Sequence, residues 1–170
     1  MPFIMNQVRT LMVLSMLLFA QACHAGGSES AGRIGWPKAY VQECAACHVA
    51  YPPHMLPAAS WARLMGGLDK HFGTDASLDA RDIQQLSRWL QENADRHLPA
   101  PAPPEHRITY TAQFERTHRQ IEPATWQLPS VRSKSNCMAC HTSADKGQYS
   151  EHALRMPQGL SARQRAAWDD

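Results

Sequence analysis

The first apolar run, Leu11 to Ala22, is nearly continuous, and Arg9 lies just ahead of it. It is too short to cross a bilayer comfortably, and the small residues around Cys23-His24-Ala25 follow it. This pattern predicts a signal peptide over residues 1–25, cut ahead of Gly26. Residues 26–35 are small and polar and read as a loose start. From Trp36-Pro37 onward the spacing turns helical. Tyr40, Val41, Cys44 and Cys47-His48 recur at steps of three and four, which predicts a helix running towards Tyr51 and stopped by Pro52-Pro53. Trp61, Leu64, Met65, Leu68 and Phe72 form a second stripe, a helix over 61–72 capped by Ser60 and ended at Gly73. Ile83, Leu86, Trp89 and Leu90 form a third, a helix from Ala80 to about Asp95 with Asp79 as its cap.

Leu98 to Pro104 is a stiff, proline-rich connector and marks the boundary between two halves, residues 26–98 and 105–170, with 99–104 as the linker. The second half is less regular. Thr111 to Gln120 predicts a helix showing Phe114, His118 and Ile121 on one side, and Pro123 breaks it. A loop with Trp126 and Pro129 follows, then a turn over Ala144–Tyr149 and a short helix from Ser161. No segment alternates like a strand, so the fold class is mostly α with long loops. Large aliphatic residues are sparse after the first apolar run, and side chains alone make a marginal core in so small a protein.

Charge narrows the function classes. The chain holds 17 Lys and Arg against 15 Asp and Glu. Residues 1–25 contain Arg9 and no acid, so their loss leaves a net of +1. That balance is no footprint for nucleic acid. No later segment is apolar enough to insert stably in a membrane once the leader is removed.

The cysteines carry the chemistry. Of five, one lies in the leader, and the other four form two matched units, Cys44-Ala45-Ala46-Cys47-His48 and Cys137-Met138-Ala139-Cys140-His141. Cys-x-x-Cys-His is the attachment pattern of c-type haem. Two thiols add across the vinyl groups on one porphyrin edge, and the adjacent histidine comes to lie under the ring as an iron ligand. A four-thiolate zinc site fits poorly, because about 90 residues separate the pairs and the histidines go unexplained. A thioredoxin-like pair lacks a βαβ setting. Plain disulfides suit an oxidising compartment but leave the histidines idle. Two covalently bound haem c groups, held by Cys44, Cys47, Cys137 and Cys140, are the expectation. Each large apolar ring would complete a core that side chains leave short.

His48 and His141 are the proximal metal ligands on this reading. The sixth position of each iron is open to several candidates. His71 ends the second predicted helix beside Phe72-Gly73, and His118 lies mid-helix between Phe114 and Ile121. Met55, Met65, Met138 and Met156 are alternative sulphur donors, although methionines more often fill cores. His54, His97, His106 and His152 fall in loops or at element ends and read as solvent-facing.

The chain resembles the dihaem cytochrome c family of bacterial periplasms. The resemblance is carried by Glu43 through Pro53, by Leu56-Pro57, Ser60-Trp61, Met65, Leu68, His71-Phe72-Gly73 and Ala76-Ser77-Leu78-Asp79. In the second half it is carried by Arg107-Ile108-Thr109, His118, Asn136 through His141, Gly147 and Met156-Pro157. It implies two small haem-bearing lobes, the first like a class I cytochrome c. It implies a periplasmic, low-potential bis-histidine electron carrier with His48 and His71 on the first iron and His118 and His141 on the second. The partners it implies are a small oxygen-binding monohaem cytochrome as acceptor and a membrane cytochrome b as donor. A peroxidase-like haem enzyme would need one open iron and a distal acid–base group, for which the chain looks short. A haem sensor would need a coupled partner domain, and a subunit of a larger respiratory complex would copurify with it.

Overall fold

The computed structural model describes residues 35–98, 102–166 and 168, all within one compact unit, Gly32–Asp170. The predicted signal peptide and residues 99–101 of the predicted linker lie outside the described residues. The described chain is mostly helical and has no strand, only isolated bridges at His71–Thr74 and His141–Leu154. Its α-helices are α1 (Lys38–Cys44), α2 (Ala58–Met65), α3 (Ala80–Glu92), α4 (Ala112–Thr117) and α5 (Ala162–Ala166), linked by short 3₁₀ turns.

Each helix is shorter than its apolar stripe suggests. The first stops at Cys44 rather than running towards Tyr51. Pro52 and Pro53 hold the residues before them extended, so the motif itself becomes the turn between helix and extended chain. The second starts at Ala58 because Pro57, at φ −70 and ψ 155, delivers the chain already poised for helix. Ser60 is therefore not its cap but sits inside it, 0% exposed. The paired Gly66-Gly67 ends it at Met65, since two successive glycines remove helix propensity where no packing restores it. Leu68–Lys70 then forms a separate 3₁₀ turn. Asp79 occupies the position before α3 as anticipated, but its carboxylate makes no capping bond.

The core lies where α2 and α1 pack on α3. Tyr40, Ala50, Leu56, Trp61, Met65, Leu86, Leu90 and Ala94 are buried there. Complete burial of a leucine such as Leu86 or Leu90 stabilises by roughly 1.5–3 kcal/mol each. Trp36, Tyr40 and Trp89 form an edge-on aromatic cluster, with the last two rings 4.8 Å apart. The Trp61 indole donates to the Pro53 carbonyl at 2.6 Å, which ties the start of the first loop to α2.

The second half builds its order differently. Its first segment crosses back onto the first half: Ile108 packs against the core, and the His106 ring meets the buried Ser60 hydroxyl at 3.1 Å. His106 is thus half-buried rather than solvent-facing. Thr111 caps α4 by accepting from the Phe114 amide. Thr117 turns its hydroxyl onto the Gln113 carbonyl, and the helix ends there rather than at Gln120. The predicted loop around Trp126 contains a 3₁₀ turn, Pro123–Gln127. Ahead of α5, Ser161 and Gln164 form a capping box: each side chain accepts the other's amide. The Gln164 amide group then donates to Thr125 at 3.0 Å and fastens the helix to that turn. Among the described residues, the buried apolar side chains beyond residue 102 are Val131, Ala139, Ala144, Pro157 and Leu160.

Candidate functional site

The two cysteine motifs lie mostly in turns. Cys44 ends α1, and Cys47 and His48 lie in the bend beyond it. Cys137–Ala139 is a 3₁₀ turn, and the His141 amide donates to the Cys137 carbonyl at 2.8 Å. A second strap holds this motif: the Arg155 amide donates to the Cys140 carbonyl and the Thr142 amide to the Ala153 carbonyl. The four motif cysteines form no disulfide with one another. Burial pushes Cys44 and Cys137 up to about 11 and raises Cys140 as well. Among the described residues no three His, Cys, Asp or Glu side chains converge on a bare metal ion.

Imidazoles converge in pairs instead. His48 faces His71 with ring centres 6.1 Å apart and planes 25° from parallel. His118 faces His141 at the same 6.1 Å, with planes at 67°. Two imidazole–metal bonds of about 2 Å each, plus about 1 Å from nitrogen to ring centre at either end, sum to roughly 6 Å. The separation therefore matches two histidines on opposite sides of one metal, and twice over.

Local structure explains how each distal candidate arrives. The chain reverses at His71-Phe72-Gly73-Thr74, with the Thr74 amide on the His71 carbonyl at 3.1 Å. Phe72 and Gly73 take φ of 51 and 92, positive at both central positions as in a type I′ turn. Glycine adopts this readily; for Phe72 it is strain concentrated beside a candidate ligand. Arg107 lies over the Phe72 ring at 4.0 Å and braces it. His118 follows α4 directly as its C-terminal cap, its ring stacked on Phe114 with centres 4.0 Å apart and flanked by Trp126.

Hydrogen bonding prepares the rings for ligation. The His48 Nδ1 meets the Val49 carbonyl at 2.7 Å and the His118 Nδ1 meets the Phe114 carbonyl at 2.9 Å. An Nδ1–H given to a carbonyl leaves Nε2 as the basic nitrogen. The Nδ1 atoms of His71 and His141 are buried with no hydrogen-bond partner among the described residues. Burial lowers the pKa of His71, of His118 and of His141. The facing histidine adds to that effect for His71 and His141, Arg107 for His71 and Lys134 for His118. All three are held in the neutral form that binds a metal.

Of the sulphur alternatives, Met65 is buried in the α2–α3 core, Met156 is 42% exposed, and Met55 and Met138 are half-buried. His54, His97 and His152 are exposed, as their loop positions suggested. Sequence reasoning missed Tyr51, whose ring stacks on His48 with centres 4.9 Å apart, and Tyr149, 5.4 Å from His141. The position of Tyr51, three residues after His48 and directly before Pro52-Pro53, was the available signal.

Paired thiols and paired imidazoles, each set repeated, fit two porphyrins that supply their own four nitrogens. This donor set on a strandless helical scaffold is that of a two-centre c-type cytochrome. The dihaem cytochrome c family matches residues 40–149, and the chain belongs to it. A dihaem cytochrome c from Rhodobacter sphaeroides is 40% identical over 67% of this chain and 97% of its own, with a TM-score of 0.59. A second structure of a dihaem cytochrome c from that organism is 38% identical, covering 68% and 98%, with a TM-score of 0.60. A dihaem cytochrome c from Shewanella baltica is 34% identical, covering 71% and 93%, with a TM-score of 0.64. No curated protein matches the chain. Membership makes this an electron-transfer cytochrome with two covalently bound haem c groups.

Proposed function

We propose that the protein is an exported bis-histidine electron carrier, with haem attached at Cys44 and Cys47 and at Cys137 and Cys140. His48 and His71 hold the first iron, and His118 and His141 hold the second. The observation that carries this reading is the 6.1 Å separation within both histidine pairs. Bound haem supplies a reversible one-electron couple between ferric and ferrous iron. With two histidines as ligands each iron would keep no coordination site for a substrate, so the work would be electron transfer rather than bond chemistry. The neutral form of His71, His118 and His141 keeps their nitrogens available at physiological pH. Phe72, Phe114 and Trp126 keep the distal imidazoles in place.

Export to the periplasm rests on the apolar run behind Arg9, and among the described residues no helix is long and apolar enough to cross a membrane. The partners that suit such a carrier are a small oxygen-binding monohaem cytochrome as acceptor and a membrane cytochrome b as donor, met through small transient interfaces.

The test is carbon monoxide binding to the reduced holoprotein. The natural protein takes up none rapidly, while His71→Ala and His118→Ala each open one iron and bind one equivalent. Rapid binding by the natural protein contradicts the carrier reading.

A further inference from the structure

One side chain links the first centre to the segment that leads into the second. The Tyr51 ring stacks on His48 with centres 4.9 Å apart and planes 21° from parallel. Its hydroxyl reaches across 84 residues of sequence and donates to the Ser135 carbonyl at 3.0 Å. That same carbonyl faces the Cys137 thiol at 3.7 Å. The Tyr51 backbone is itself fixed, because its carbonyl accepts from the buried Tyr40 hydroxyl at 2.6 Å. Tyr51 therefore runs from the proximal ligand of the first centre to the segment that leads into the second, clamped at ring, backbone and hydroxyl.

We propose that Tyr51 is a positioning residue for electron transfer between the two centres. It fixes their separation and relative tilt, and with them the rate at which they exchange an electron. The inference rests on the bis-histidine reading of the two sites. In the step itself one electron leaves one iron and enters the other, so one centre is oxidised as its neighbour is reduced. No bond is made or broken, and Tyr51 stays a neutral phenol. Burial supports that neutrality by raising its pKa well above the ordinary tyrosine value.

Two other contacts also cross between the halves. His106 meets Ser60, and Arg107 covers Phe72 on the distal side of the first centre. Neither touches the second attachment motif.

The experiment compares natural holoprotein, Tyr51→Phe and Tyr51→Leu. The exchange rate is read from NMR line shapes of the haem methyl groups in half-reduced protein, and the ligand field from EPR of oxidised protein. Tyr51→Phe keeps the ring on His48 and loses only the bond to Ser135. It should leave both EPR signals at their natural positions while slowing exchange several-fold. Tyr51→Leu should slow exchange further and shift the signal of the first centre alone. Natural exchange rates in both variants overturn the proposal. If the natural protein lacks two low-spin signals, the ligation reading has failed, and the proposal falls with it.

Discussion

Tyr40 shows how single polar atoms hold this protein together. Its ring is 2% exposed, and its hydroxyl donates to Tyr51 inside the core. Burial drives both phenols far above their ordinary range. A raised folded-state value means that the folded protein keeps protons the unfolded chain would release. The stability this contributes is complete below the unfolded tyrosine value of about 10 and is lost as pH rises beyond it. Thermal melts of holoprotein should therefore fall steeply on the alkaline side of that point, and Tyr40→Phe should flatten the fall. The same substitution should cost about 1 kcal/mol at neutral pH, because it removes one hydrogen bond and strands a buried carbonyl. The cofactor at this scale was legible in the sequence: the doubled Cys-x-x-Cys-His pattern pointed to two haem c groups, as the family has them. What joins His48 to Tyr51 and then to Ser135 was not legible, because the last contact spans 84 residues and leaves no local period.

At the scale of elements the apolar stripes placed α2 and α3 correctly and their ends less well. Trp61, Met65, Leu86 and Leu90 face the core as their spacing demanded. Phe72 does not, being 45% exposed, because Gly66-Gly67 cuts the helix and the turn at Phe72-Gly73 redirects the chain. A stripe reports a face only while the helix lasts. The second half offers few stripes because it has little apolar core to build. Its order comes from polar pins such as Ser161–Gln164–Thr125 and the strap from Arg155 to Cys140. Haem should supply the missing apolar mass there. Cys137→Ala with Cys140→Ala, leaving only the first haem, is expected to strip amide-exchange protection from residues 112–166. Residues 38–94, which contain the contiguous core, should stay protected.

For the whole molecule, the boundary read at 99–104 is crossed by contacts from Tyr51, Ser60 and Phe72 to Ser135, His106 and Arg107. Sequence showed the proline-rich segment but carried no sign of these contacts. Electron passage between two haems requires them to be held close, and such contacts provide the rigidity. Mass spectrometry of protein recovered from the exported fraction should find a chain beginning at Gly26 plus the mass of two haems. The central claim, that each iron lies between two histidines, is tested most directly by low-temperature EPR of the oxidised holoprotein. Near-parallel imidazole planes separate the two π-symmetry d orbitals of iron more than near-perpendicular planes do. The 25° pair should therefore give a more rhombic low-spin signal and the 67° pair a more axial one, in equal amounts. A high-spin signal from either centre, or the far-red absorption band of methionine-ligated ferric haem, would contradict it.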